Sequence, residues 1–199
     1  MKKLVKRTVI TGMILAFVWF LLTAWAESSG PKRSWEVGNQ ASDQAVLIVY
    51  DPDPFYNLDE QVCRSFGQAL ADRGLFVRIA TVAAINGINA QPFDSYVFCA
   101  NTYNWRPDWA VSHFIREQDE VVGKPVVAIT VGSGSTEASQ KALEKVILEK
   151  KGLLLDSRSF WLSRPNDETR MKESNSHVAV SMAYTWGEKM AERMKRPKS

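Results

Sequence analysis

Acidic side chains crowd one short turn of this sequence: Asp51, Asp53, Asp59 and Glu60 fall within residues 49–60, VYDPDPFYNLDE, together with Pro52 and Pro54. A turn that feeds a helix is ordinarily a place for anions, because the first backbone N–H groups of the helix are unpaired and its dipole is positive there. Here each proline removes a donor. The acids also place negative charge where an anion would sit, at a cost on the order of 1 kcal/mol or more for each like charge ~4–6 Å away. Clustered carboxylates can hold a divalent cation, but the spacing of a calcium loop is absent. The other reading is that they cap the helix and face water.

Two further segments carry chemistry, ANTYNWRPDW at residues 100–109 and TVGSGST at residues 130–136. A planar ring in a crevice is held by aromatic faces and by backbone N–H groups of Gly/Ser turns. Tyr103 and Trp105 can supply the first, and Gly132, Ser133 and Gly134 the second. Exposed aromatics equally mark contact with a partner, and GSGST serves equally well as a plain helix cap. Ser133 and Ser135, with His113 and His177 elsewhere, raise the question of a hydrolase, yet the Gly-x-Ser-x-Gly elbow is not matched. Neither His nor Cys spacing makes a zinc site. Cys63 and Cys99 admit a disulfide if the chain is exported, or two small buried apolar residues if it is not formed.

The elements that position these residues are legible from periodicity. Residues 45–50, AVLIVY, form a continuous apolar run, as expected of a strand covered on both faces. Asn57 and Glu60 are spaced as a capping box for a helix whose stripe is Leu58, Val62, Cys63, Phe66, Ala69 and Leu70, closed by Gly74. Further strands are expected at 75–80, 95–100 and 125–131, and a fifth at 153–163, broken by Asp156 and Ser157. Pro107 is placed as the first residue of a helix with Ala110, Val111, Phe114 and Ile115 inward. Ser135 or Thr136 caps another carrying Leu143, Val146 and Ile147, and a last helix has the stripe Ala179, Met182, Ala183, Trp186 and Met190. Alternating strands and helices predict an α/β fold, a doubly wound five-stranded parallel sheet in the order 2-1-3-4-5, with its ligand crevice outside the carboxyl ends of strands one and three.

With this order, the loop segments YDPDPFYN, ANTYNWRPDW and TVGSGST make residues 45–195 resemble the flavodoxin-like family, which includes FMN-dependent quinone reductases. The resemblance implies FMN as cofactor, its phosphate wrapped by the first loop and its ring bordered by the other two. It implies Tyr103 and Trp105 as stacking partners, and polar contacts from Asn101, Thr102, Gly132, Ser133 and Gly134. Flavodoxins present Ser, Thr and Gly in the first loop, whereas this chain has none of the hydroxyl residues there; Tyr56, Asn57 and the remaining backbone would have to replace them.

The N-terminus sets the surroundings. Lys2, Lys3, Lys6 and Arg7 precede an uncharged run at 8–26, TVITGMILAFVWFLLTAWA. Nineteen residues can cross a bilayer, and the run's end, Ala24-Trp25-Ala26, also fits a cleaved secretory signal. The charge imbalance, against only Lys32 and Arg33 afterwards, keeps the N-terminus in the cytoplasm and exports the rest. Residues 1–26 are thus a membrane anchor or signal peptide, 27–44 a polar linker, and 45–195 the flavodoxin-like domain. The domain is expected on the outer side of the cytoplasmic membrane, single-pass, or released if cleavage follows Ala26. A net charge of +3, without a basic face, points away from nucleic acid. The functional expectation is FMN-linked electron transfer or quinone reduction with a redox partner protein or a quinone; the alternative is an exported binding or scaffold module that has lost the flavin.

Overall fold

The structure is a computed structural model that describes residues 2–26, 30–85 and 93–195. Helix α1 (Lys2–Ala26) carries the apolar N-terminal run, and its stretch Val5–Trp25 is long and apolar enough to cross a membrane. At 1.5 Å per residue those 21 residues reach about 31 Å, the thickness of a hydrocarbon core. Strand β1 (Ser34–Val37) follows, then β2 (Ala45–Tyr50), α2 (Leu58–Asp72), β3 (Phe76–Thr81) and the single turn α3 (Val82–Ile85). Strand β4 (Ser95–Tyr103) leads into the two-residue β5 (Arg106–Pro107), α4 (Trp109–Glu117), β6 (Pro125–Gly132), α5 (Glu137–Glu149), β7 (Leu153–Trp161) and α6 (Asn175–Met194).

The sheet runs β1-β3-β2-β4-β6-β7, with β5 paired to β4. Its five parallel members, β3-β2-β4-β6-β7, have the expected 2-1-3-4-5 order. Two strands add to it. The segment read as a linker contributes β1, which pairs antiparallel with β3 at the sheet edge, and Trp35 on it stacks on Tyr50 at 6.4 Å. An edge strand needs to cover only one face, so SWEV lacks the continuous apolar signature of its neighbours. The fifth parallel strand is not broken at Asp156-Ser157. It continues through a bulge where the register slips between Val126 and Val127, leaving Leu155 as the extra residue. Most of the connection between the strands expected at 75–80 and 95–100, residues 86–92, lies outside the described residues.

Helices cover both faces. On one, α2 and α6 bury Val62, Phe66 and Leu70 with Ala183, Trp186 and Met190 against Ile48, Val77 and Ile129. Gly187 lets these helices touch: a Cβ there would lie 2.8 Å from that of Ala69 and 2.9 Å from the Phe66 carbonyl. On the other, α4 and α5 place Val111, Phe114, Ile115, Leu143 and Ile147 over Leu47, Phe98 and Ala128. Cys63 on α2 and Cys99 on β4 are buried and not joined by a disulfide. Burial among apolar side chains pushes the Cys99 thiol up, and contact with Cys63 adds to it.

Candidate functional site

The carboxyl ends of the parallel strands carry the loops after β2, β4 and β6. Within the first loop the acids do not face water: Asp51, Asp53 and Asp59 are only 4%, 8% and 1% exposed. Each finds partners inside the protein. Asp53 Oδ1 accepts from the backbone N–H of Phe55 at 2.6 Å and of Tyr56 at 3.2 Å, and Oδ2 accepts from the Tyr103 hydroxyl at 2.5 Å. Asp59 Oδ2 accepts from the Asp53 N–H and from Asn101 Nδ2, while Oδ1 takes the Glu60 N–H. Asp51 Oδ1 accepts from the Gly30 N–H at 3.0 Å. Burial raises the Asp51 carboxyl to about 6 despite the Gly30 bond, and the Asp59 carboxyl to about 6 despite its donors.

The capping box is not formed. Asn57 is the N-cap residue without a side-chain cap bond; its Oδ1 accepts instead from Gln61 Nε2. Glu60 faces outward to Arg33, at 2.7 Å, and to the Tyr50 hydroxyl. A side chain from the chain's own N-terminal segment thus reaches the acid that would have completed the box.

Asn101 joins the first two loops. It is 1% exposed and donates through Nδ2 to the Asp51 carbonyl at 2.8 Å and to Asp59 at 3.0 Å. Its N–H donates to Asp108 Oδ2, and Asp108 Oδ1 accepts from the Val111 N–H. Asp108, not Pro107, therefore starts α4 as its cap, and Pro107 belongs to β5. That role had a sequence signal, an Asp directly before an apolar-periodic segment, which the neighbouring proline obscured.

Strand β4 runs three residues further than expected and turns back through Asn104 and Trp105 into β5, with Tyr103 opposite Arg106. Both central residues have positive φ, 49° and 61°, as a type I′ hairpin requires. Asn tolerates that region; for Trp it is a strained position. The hairpin holds Trp105 outward, 67% exposed.

Beside it lies a crevice of about 640 Å³ lined by Thr102, Trp105, Ser133, Gly134, Thr136 and Arg164, with Trp19 of α1 at its side. Gly132 keeps this wall tight: a Cβ there would meet Thr136 Cγ2 at 2.8 Å and Thr102 Cβ at 3.0 Å. Thr136 is the N-cap residue of α5, but its hydroxyl oxygen accepts from the Trp161 indole N–H rather than from the helix. Ser163, expected as the end of the fifth strand, and Arg164 both follow β7 and also reach the crevice, a role that periodicity did not signal. A second cavity, about 610 Å³, lies over the first loop between Trp25, Gly30, Arg33, Phe55, Tyr56, Asn57 and Glu60. The residues singled out from sequence thus divide. Thr102, Trp105, Ser133 and Gly134 share the first crevice, Tyr56 and Asn57 line the second, and Asn101 and Gly132 are buried. Tyr103 is half-buried and bridges to Asp53. His113 and His177 are exposed.

No protein-family profile matches the sequence, and no curated protein matches it. Solved structures do match by shape. A mutant flavodoxin from Pseudomonas aeruginosa aligns with a TM-score of 0.59 at 16% identity, over 77% of this chain and all of that one. A flavodiiron core from Synechocystis sp. PCC6803 aligns at 0.55 and 12% identity over 78% of this chain, which spans 37% of its length. A flavone reductase aligns at 0.54 and 9% identity, over 76% of this chain and 63% of that one. The chain has a flavodoxin-like fold, and at these identities the likeness extends to the fold alone.

The resemblance read from the loop segments implies FMN, and the first loop can be tested for it. The Phe55 and Tyr56 N–H groups already bind the Asp53 carboxylate, and the Asp53 N–H already binds Asp59. Pro52 and Pro54 offer none. A phosphate dianion at this loop would have to compete with a buried carboxylate for the same donors.

Proposed function

We propose that the chain is a membrane-tethered flavodoxin-fold domain, carried on the outer side of the cytoplasmic membrane, that works as a binding or scaffold module and not through FMN held by its first loop. Asp53 supports this reading: its carboxylate takes the Phe55 and Tyr56 N–H groups that a phosphate bound to this loop would need. The basic residues in the first turns of α1 and the apolar span Val5–Trp25 support the tether and its orientation. Noncovalent flavin and its soluble reductants belong to the cytoplasm, which agrees with an exported domain that does without them.

One observation favours a second reading, FMN-linked electron transfer or quinone reduction. The crevice beside Trp105 and the 133–136 turn retains room and an aromatic wall for a planar ring. The Tyr103 hydroxyl, however, is committed to Asp53.

The purified full chain, assayed by visible absorption and by quenching of flavin fluorescence, separates the two. The expected protein is colourless and binds FMN in the micromolar range or more weakly. Tight FMN binding with strong discrimination against riboflavin would overturn the proposal. A reporter active only outside the cytoplasm, fused after Ser199, is expected to be active.

A further inference from the structure

Two large aromatic side chains at the carboxyl end of the sheet are turned outward, Trp105 and Phe55, each 67% exposed. They come from different loops and share one neighbour, helix α1. Phe55 meets Trp25 edge-on at 5.5 Å, Asn104 Nδ2 donates to Thr23 Oγ1 at 3.4 Å, and Trp19 lines the same crevice as Trp105. The chain between α1 and the domain is short. Gly30 is fixed to Asp51 and Pro31 to the Thr81 hydroxyl, so only four residue steps separate Ala26 from an anchored point, at most about 14 Å of extended chain.

We propose, resting on the membrane-tethered reading above, that this end of the domain docks on the lipid surface of the outer leaflet, with Trp105 and Phe55 seated in the interface and the crevice mouth facing lipid. The tether length restricts which end of the sheet can face the bilayer, and the anchored point lies beside the first loop. Depth agrees as well. Thr23 and Trp19 lie three and seven residues inside the end of α1, about 4.5 and 10 Å along its axis. The hairpin that contacts Thr23 and shares a crevice with Trp19 therefore reaches the headgroup–acyl boundary, where interfacial apolar groups bury ~5–10 Å. Trp is the residue favoured at that level, and its strained backbone serves to hold it there. Arg106 follows it on the hairpin and is exposed, suited to anionic headgroups.

The test uses the full chain reconstituted in phosphatidylcholine–phosphatidylglycerol vesicles, with a nitroxide on Trp105→Cys, on Phe55→Cys, and on Leu153→Cys as a reference at the opposite end of the sheet. Cys63 and Cys99 are fully buried and stay unlabelled. Collision with oxygen, which concentrates in lipid, and with a water-soluble nickel complex reports depth. Both test positions are expected to be several-fold less accessible to nickel and more accessible to oxygen than position 153. Labels at 105 and 55 as water-exposed as the reference overturn the docking while leaving the anchor standing. Labels closed to both reagents indicate a protein contact and overturn it too. A chain recovered in solution beginning at Glu27 overturns the anchored reading and the docking with it. The Phe55 site decides the matter if the Trp105 variant fails to fold.

Discussion

Tyr103 at the end of β4 donates its hydroxyl to Asp53 Oδ2 at 2.5 Å, joining two loops fifty residues apart. Burial and the neighbouring carboxylate push that hydroxyl well above the ordinary tyrosine range, so it remains a donor at every accessible pH. Tyr103→Phe removes one donor from a carboxylate that is 8% exposed. The expected loss is about 1–3 kcal/mol, seen as a lower urea midpoint with an unchanged slope. An unchanged midpoint would show that water replaces the hydroxyl freely and that the two loops are not locked by this bond.

The buried acids set a pH dependence. Asp51 and Asp59 are raised to about 6 by burial, against about 3.9 in an unfolded chain. Between those values the folded chain binds more protons than the unfolded one. Their contribution is therefore fully present below about pH 4 and is lost as pH climbs through 6. A difference of about 2 units amounts to roughly 3 kcal/mol per group as an upper bound. Asp51→Asn keeps an acceptor for the Gly30 N–H and removes one charge, so it is expected to flatten part of the slope and to be more stable than the parent at pH 7. Urea unfolding from pH 4 to 8 measures both; a parent profile that rises through this window contradicts the assignment.

The hairpin tip offers a test with opposite sign. Trp105 has φ 61° and a largely exposed side chain. Trp105→Gly relieves the backbone and removes little packing, so stability is expected to rise by about 0.5–1 kcal/mol, read as a higher urea midpoint. Trp105→Ala keeps the strain and is expected to stay within about 1 kcal/mol of the parent. Marked destabilisation by either would place the indole in packing rather than at the surface.

The parallel part of the fold was legible because its strands are covered on both faces and read as apolar runs, as in Ala45–Tyr50, while α2 and α6 carry complete stripes. Strand β1 was not, because an edge strand with one face against solvent shows only Trp35 and Val37. At the site, residue types were legible and their pairing was not. The acids of the first loop were expected to face water, yet they are buried because Gly30, Asn101 and Tyr103, each 21 to 50 residues from its partner, converge on them. Local rules that ignore such partners gave Asn57 a capping box whose Glu60 is drawn off by Arg33.

Rebuilding the first loop tests whether its carboxylates keep FMN out. Replacing Asp51 and Asp53 with Ser, and Pro54 with Gly, removes two buried charges, releases the Phe55 and Tyr56 N–H groups from Asp53 and restores a donor. Asp59 is left in place, since it still orders Asn101 and the Glu60 N–H. If carboxylates occupy the phosphate position, FMN affinity should rise at least tenfold, about 1.4 kcal/mol, while riboflavin affinity stays nearly unchanged, because the change acts on the phosphate alone. Fluorescence quenching titrations of both flavins against parent and variant give the comparison directly. A parallel gain for riboflavin would mean that the substitutions loosened the crevice near Trp105 instead. No gain for either, in a variant with the parent's unfolding midpoint, would place the obstacle to FMN outside this loop and refute the claim that Asp53 stands in for the phosphate.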